Sequence, residues 1–115
     1  MINSDTQKEI LLSIIYQEDF LMMNTTSLST LKEGESCRIV RLDMTGKMRS
    51  RLMDLGFISG AAAECLHISS GGDPAAYLIS GTVIAIRKTD AERIVIMRNG
   101  DVPDMFINTL KRRSL

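Results

Sequence analysis

The sequence predicts a mainly β domain: a small, partly open β-barrel with one helix after the first strand, plus an added N-terminal helix. Beyond residue 36, short runs with a period of two follow one another, rich in β-branched residues and separated by turn signals. A helical period appears before residue 24 and again between residues 45 and 55. At 115 residues, the chain has room for one domain.

Five strands and one helix make up the predicted barrel. The strands are 36–42, 61–68, 75–79, 83–87 and 94–97. Runs of this length at close spacing are typical of small barrels. The helix, Thr45–Leu55, carries Met48, Leu52 and Leu55 at i, i+4 and i+7, so these three are expected to face the core. Gly56 follows directly and is expected to take a positive φ as the C-terminal cap.

Two extensions flank the barrel, which is assigned to residues 27–98. In residues 1–26, a capping box and apolar side chains at helical spacing predict a helix, followed by a polar linker. Three interpretations of this helix stay open: it covers an open face of the domain, it joins two copies in a homodimer, or the true start is Met22 or Met23. Residues 99–115 predict a turn, an edge strand and a basic tail.

Charge and composition argue against nucleic acid as a partner and against insertion into a membrane. The 14 basic and 14 acidic residues give a formal net charge of zero, whereas nucleic-acid binders carry excess positive charge. Aromatic residues make up 4% of the chain, too few for a base-stacking surface. The longest apolar cluster, Ile10 to Tyr16, is broken by Ser13 and is far too short to span a bilayer.

The residue types that catalysis and metal binding require are scarce. The chain has one histidine, His67, and its two cysteines, Cys37 and Cys65, lie in apolar runs without C-x-x-C spacing. Buried thiols in a reducing cytoplasm explain the cysteines best. Cys65 and His67 share a predicted strand face, which makes at most a two-ligand fragment. The loop 71–74 precedes a strand, so it is expected to be a simple turn in which Asp73 bonds its own backbone. We therefore expect no catalytic residue, no cofactor and no closed metal site, and a binding protein rather than an enzyme.

Five basic residues form the candidate partner-contact surface. Lys47, Arg49 and Arg51 lie on the predicted helix and cannot all join its apolar stripe. Arg87 and Lys88 add to them if the end of the hairpin lies nearby. Such a surface would attract an acidic partner. A solvated helix face without a partner is the alternative.

Several segments, in order, resemble the FeoA ferrous-iron transport accessory family over residues 27–98. They are a Leu-x-x-Leu opening with a glycine turn in 27–35, an RL-x-x-LG-hydrophobic-x-x-G signature in 51–60, Gly-Asp-Pro at 72–74, Ser-Gly-Thr at 80–82, and an ending similar to I-x-LR-x-x-x-A-x-x-I in 84–94. Each segment is short, and their order and separation carry the resemblance.

The resemblance implies an SH3-like β-barrel and a non-enzymatic cytosolic protein. Its implied partner is the cytosolic domain of a membrane ferrous-iron permease with a GTPase domain, which it would bind and modulate. The same barrel forms the C-terminal domain of iron-dependent repressors, so a metal-responsive regulatory domain is the alternative. No helix-turn-helix pattern precedes the barrel, which argues against direct DNA regulation.

Overall fold

Over residues 23–101, the part of the chain that the computed structural model describes, the fold is mainly β, as predicted. The six strands are β1 (Thr26–Ser27), β2 (Ser36–Leu42), β3 (Ala62–Ile68), β4 (Ala75–Ile79), β5 (Thr82–Ile86) and β6 (Ile94–Arg98). They form one antiparallel sheet in the order β1-β6-β2-β3-β4-β5. Helix α1 is Gly46–Asp54 and the single-turn helix α2 is Lys88–Ala91. The predicted N-terminal helix up to residue 22 and the tail from residue 102 lie outside the described residues.

One apolar core fills the inner face of the curved sheet. Strand alternation directs Ile39, Ile94 and Ile96 inward, and all three are fully buried. Phe57, from the loop after α1, is also fully buried and closes one end of the core. Because aromatic residues are few, aliphatic side chains supply most of the buried volume.

All five predicted strands are present, and β1 is an addition that the sequence did not indicate. Thr26 pairs with Ile96 at the edge of the sheet, in the stretch that the sequence assigns to a polar linker. Two polar residues are too short a segment to show a period of two, so only tertiary pairing reveals this strand.

The end of α1 is fixed by a Schellman motif. The N–H of Phe57 donates to the carbonyl of Leu52 at 2.9 Å, and the N–H of Gly56 donates to the carbonyl of Met53 at 3.0 Å. Gly56 has φ +109°, which confirms the predicted positive φ. A Cβ at this position would overlap the hydroxyl of Ser80 in the β4–β5 turn. Glycine therefore allows the end of α1 to lie directly against that turn.

Candidate partner-binding site

A groove of about 190 Å³ lies between α1 and β5. Its apolar lining comes from Met48, Leu52 and Leu55 on the helix side and from Ile84 and Ile86 on the strand. Leu52 and Ile86 are buried, whereas Met48 is 37% exposed. The prediction that Met48 faces the core is therefore wrong, because its side chain lines this groove instead.

Two arginines also line the groove, and both are without a partner among the described residues. Arg51 on α1 and Arg87 after β5 are exposed, and neither forms an ion pair or a side-chain hydrogen bond within residues 23–101. Asp90 lines the same groove, but its carboxylate already pairs with Arg93 at 2.8 Å. The groove therefore combines an apolar floor with two positive charges that have no ion-pair partner in residues 23–101, an arrangement suited to an apolar segment that carries a carboxylate.

The other three predicted contact residues have different positions. Lys47 is exposed on α1. Arg49 is half-buried and donates through Nη1 to the carbonyl of Leu42 at 2.9 Å, so it ties α1 to the end of β2. Lys88 lines a separate cavity of about 220 Å³ beside α2. The structure thus brings Arg51 and Arg87 together and corrects the prediction that Arg49 is part of the exposed surface.

The loop before β4 joins the start of α2 through a carboxylate. Asp73 Oδ1 accepts a hydrogen bond from the N–H of Lys88 at 3.0 Å. The prediction that Asp73 bonds its own turn is therefore wrong. Its carboxylate satisfies one of the unpaired donors at the first turn of α2, which fixes the backbone just after Arg87.

The suggested two-ligand metal fragment is also wrong. The register of β3 on β4 shifts between Cys65 and His67, and this irregularity interrupts the alternation of faces. Cys65 is fully buried, whereas the side chain of His67 is 70% exposed and its Nδ1 lies 3.3 Å from Glu33 Oε1. Within residues 23–101, no three histidine, cysteine, aspartate or glutamate side chains gather into a group that could hold a metal ion.

The polar groups of the core are held in their neutral forms. Burial raises the pKa of Cys37 to about 12 and the pKa of Tyr77 to about 12, and it also raises the pKa of Cys65. Because the thiolate is the form that attacks electrophiles and binds metals, burial disfavours both reactions at these two cysteines in the folded protein. They add nothing to the groove.

Comparison with known proteins identifies related chains. The family model for the FeoA domain matches residues 26–98. A curated relative from Porphyromonas gingivalis is an Fe(2+) transport protein A/Fe(2+) transporter FeoB fusion protein. It is 30% identical over 69 residues, which cover 60% of this chain and 8% of that relative. Within the described residues, no helix is both long enough and apolar enough to cross a membrane.

Solved structures agree with the family model. Iron(II) transport protein A from Clostridium thermocellum is 32% identical, with a TM-score of 0.62, over 65% of this chain and 46% of that one. FeoA from Stenotrophomonas maltophilia, a prokaryotic SH3 domain protein solved in complex with zinc, is 25% identical, with a TM-score of 0.55, over 62% of this chain and 88% of that one. These matches confirm the SH3-like barrel. IdeR from T. acidophilum, at 22% identity and a TM-score of 0.57, covers 65% of this chain and 34% of that one and shares the fold alone.

Proposed function

The chain belongs to the FeoA family, and on that premise we propose that it is a non-enzymatic accessory protein that binds and modulates the cytosolic part of a membrane ferrous-iron transporter. The observation that carries this proposal is the relative in which Fe(2+) transport protein A and the transporter FeoB form one chain. A covalent link holds two domains at a high effective concentration, which is useful when the domains act on each other. A separate chain of the same family would reach the transporter by diffusion.

The geometry supports the groove between α1 and β5 as the contact surface. Productive interfaces centre on apolar side chains in a pocket, with arginine among the residues that contribute most to affinity. Here Met48 and Ile84 supply accessible apolar surface, and the guanidiniums of Arg51 and Arg87 have no internal partner among the described residues. Lys47 adds a further exposed charge on α1. The matching partner surface carries an apolar side chain close to one or two carboxylates.

Binding of the full chain to the immobilised cytosolic domain of the transporter from the same organism tests this proposal. We expect Arg87→Glu and Arg51→Glu each to weaken binding about tenfold or more at low salt. A carboxylate placed beside the partner's carboxylates replaces an attraction by a repulsion. The difference between variant and parent should shrink at high salt, because exposed charges are screened.

Lys32→Glu is the matched control. Lys32 is exposed on the turn before β2, outside the groove, and the substitution makes the same change in net charge. It therefore changes the overall field of the protein but not the proposed contact. Equal weakening by Lys32→Glu and Arg87→Glu would show that the groove is not the contact. Absence of binding by the parent chain would refute the proposed function itself.

The metal-responsive regulatory domain remains the alternative prediction. A closed metal site requires three or four converging ligands. No such group is found within residues 23–101. The match to IdeR supports a shared barrel fold. The choice between an accessory protein and a regulatory domain therefore depends on the groove and on the fusion relative.

A further inference from the structure

Among the strands of residues 23–101, β5 lies at an edge of the sheet, and the side that pairs with none of them borders the groove. A two-residue turn joins β4 to β5, and the register pairs Ile79 with Thr82 and Tyr77 with Ile84. Residues that flank a two-residue turn exchange hydrogen bonds, so Thr82, Ile84 and Ile86 direct their backbone groups towards β4. The backbone N–H and C=O groups of the residues between them, Val83 and Ala85, must point away from β4. No other strand of the described region pairs with β5.

The residues of β5 themselves lack the features that protect an edge strand from pairing. Proteins usually place a proline, a charged residue or a β-bulge on such an edge. Thr82–Ile86 has the sequence TVIAI, and its register on β4 is regular throughout. Val83 is 60% exposed. An uncharged strand of regular register, with outward backbone donors and acceptors, can accept a further strand.

Starting from the proposed function, we infer the mode of binding: an extended segment of the transporter's cytosolic part adds to the free edge of β5. The backbone of the segment bonds to the N–H and C=O groups of Val83 and Ala85. Every second side chain of an added strand points to the same face. One apolar side chain therefore enters the groove against Met48 and Ile84, and an acidic side chain near it in the segment pairs with Arg51 or Arg87.

Charge favours this occupant over a second copy of the same chain. If the β5 strands of two copies paired, four arginine side chains would gather at one interface, and Asp90, the acidic residue of the groove lining, is already paired with Arg93. Like charges brought together at an interface oppose association. A segment with a carboxylate removes this repulsion and satisfies the guanidiniums.

A proline at position 83 tests the inference in the full chain. Val83→Pro removes the outward N–H donor while leaving the bonds between β4 and β5, because the Val83 N–H does not face β4. Val83→Thr keeps both the donor and the β-branched shape and is the matched control. We expect Val83→Pro to weaken binding of the transporter's cytosolic domain at least tenfold and Val83→Thr to change it less than twofold. Hydrogen exchange of the parent complex should show the amides of Val83 and Ala85 newly protected.

The outcomes separate this inference from the proposed function. If the domain binds Val83→Pro as tightly as Val83→Thr while Arg87→Glu binds weakly, the groove is the contact but strand addition is refuted. If thermal melting shows that Val83→Pro is unfolded, exchange in the parent complex decides, and unprotected Val83 and Ala85 amides overturn the inference. If Val83→Pro instead halves the mass in solution without affecting transporter binding, the edge joins two copies and the inference is wrong. If the parent chain does not bind the domain at all, the proposed function fails first.

Discussion

Replacement of Gly56 by alanine should destabilise the protein through contact with one particular side chain. Gly56 has φ +109°, and a Cβ there would overlap the hydroxyl of Ser80 and lie 3.0 Å from Ser80 Cβ. The left-handed side of φ costs a residue with a Cβ about 1–2 kcal/mol. Alanine also restricts the unfolded chain, which returns about 0.4–1 kcal/mol. Relief of the overlap by movement of the β4–β5 turn adds roughly 1–3 kcal/mol, by analogy with overpacked cores.

The net loss expected for Gly56→Ala is therefore about 3 kcal/mol, in a range of about 1–5 kcal/mol. At about 4 °C per kcal/mol for a domain of this size, the central value lowers the thermal midpoint by roughly 12 °C. Gly34→Ala is the matched control, because Gly34 has φ +85° and a Cβ there would meet nothing within 4 Å. Only the conformational cost applies at Gly34, so the expected loss is about 1 kcal/mol.

A double-mutant cycle measured by denaturant unfolding isolates the contact. Ser80→Gly removes the side chain that the new Cβ would meet, and Ser80 itself has φ +49°, which glycine adopts freely. In the Ser80→Gly background, the cost of Gly56→Ala should fall to the cost measured at Gly34. An unchanged cost in that background, or equal costs at Gly56 and Gly34, would refute the argument that the end of α1 lies against the β4–β5 turn.

Two further predictions concern groups outside the groove. Arg49→Ala should lower the free energy of unfolding by about 1–2 kcal/mol, because it leaves the Leu42 carbonyl without its donor. The control, Lys47→Ala, should change the free energy of unfolding by less than about 0.5 kcal/mol. Denaturant titration compares the two variants, and equal values would contradict the structural role of Arg49. Burial raises the pKa of Cys37 to about 12 from an unfolded value near 9, so the unfolded state loses its proton first and stability should fall as pH rises from 9 to 12. Thermal melts of the parent and Cys37→Ala measure this, and identical pH profiles would show that Cys37 does not contribute.

The strands were predictable because a period of two is visible in a single sequence. The exact pairing of the strands was not predictable. Alternation from Ser36 to Leu42 and the turn at Ser80 and Gly81 are enough by themselves to indicate strands and a hairpin. The register irregularity between Cys65 and His67 leaves no mark in the amino-acid sequence of β3. A strict period of two, applied to the sequence alone, therefore places both residues on one face. Only the pairing with β4 shows that one is in the core and the other in solvent.

For the candidate site too, the sequence indicates local features, and only the tertiary structure shows which residues come together. Arg49 and Arg51 belong to one basic cluster in the sequence, yet residues two positions apart on a helix do not share a face. Arg49 therefore bonds to the Leu42 carbonyl, whereas Arg51 lines the groove with Arg87. The sequence identifies a basic cluster but does not separate Arg49, which bonds to the main chain, from Arg51, because the partner of Arg49 is a backbone carbonyl that no side-chain pattern reveals.

Arg51 and Arg87 line the groove beside a carboxylate that is already in an ion pair. Asp90 is the acidic group of the groove lining, and Arg93 holds its carboxylate at 2.8 Å on the same turn. Because that pair forms between residues three positions apart in one short segment, it needs no partner protein, and Arg51 and Arg87 have no ion-pair partner within residues 23–101. The β5 edge beside them offers backbone bonds that do not depend on partner sequence. In the proposed binding mode, an unselective backbone edge and a selective pair of charges favour an extended acidic and apolar segment over a globular patch.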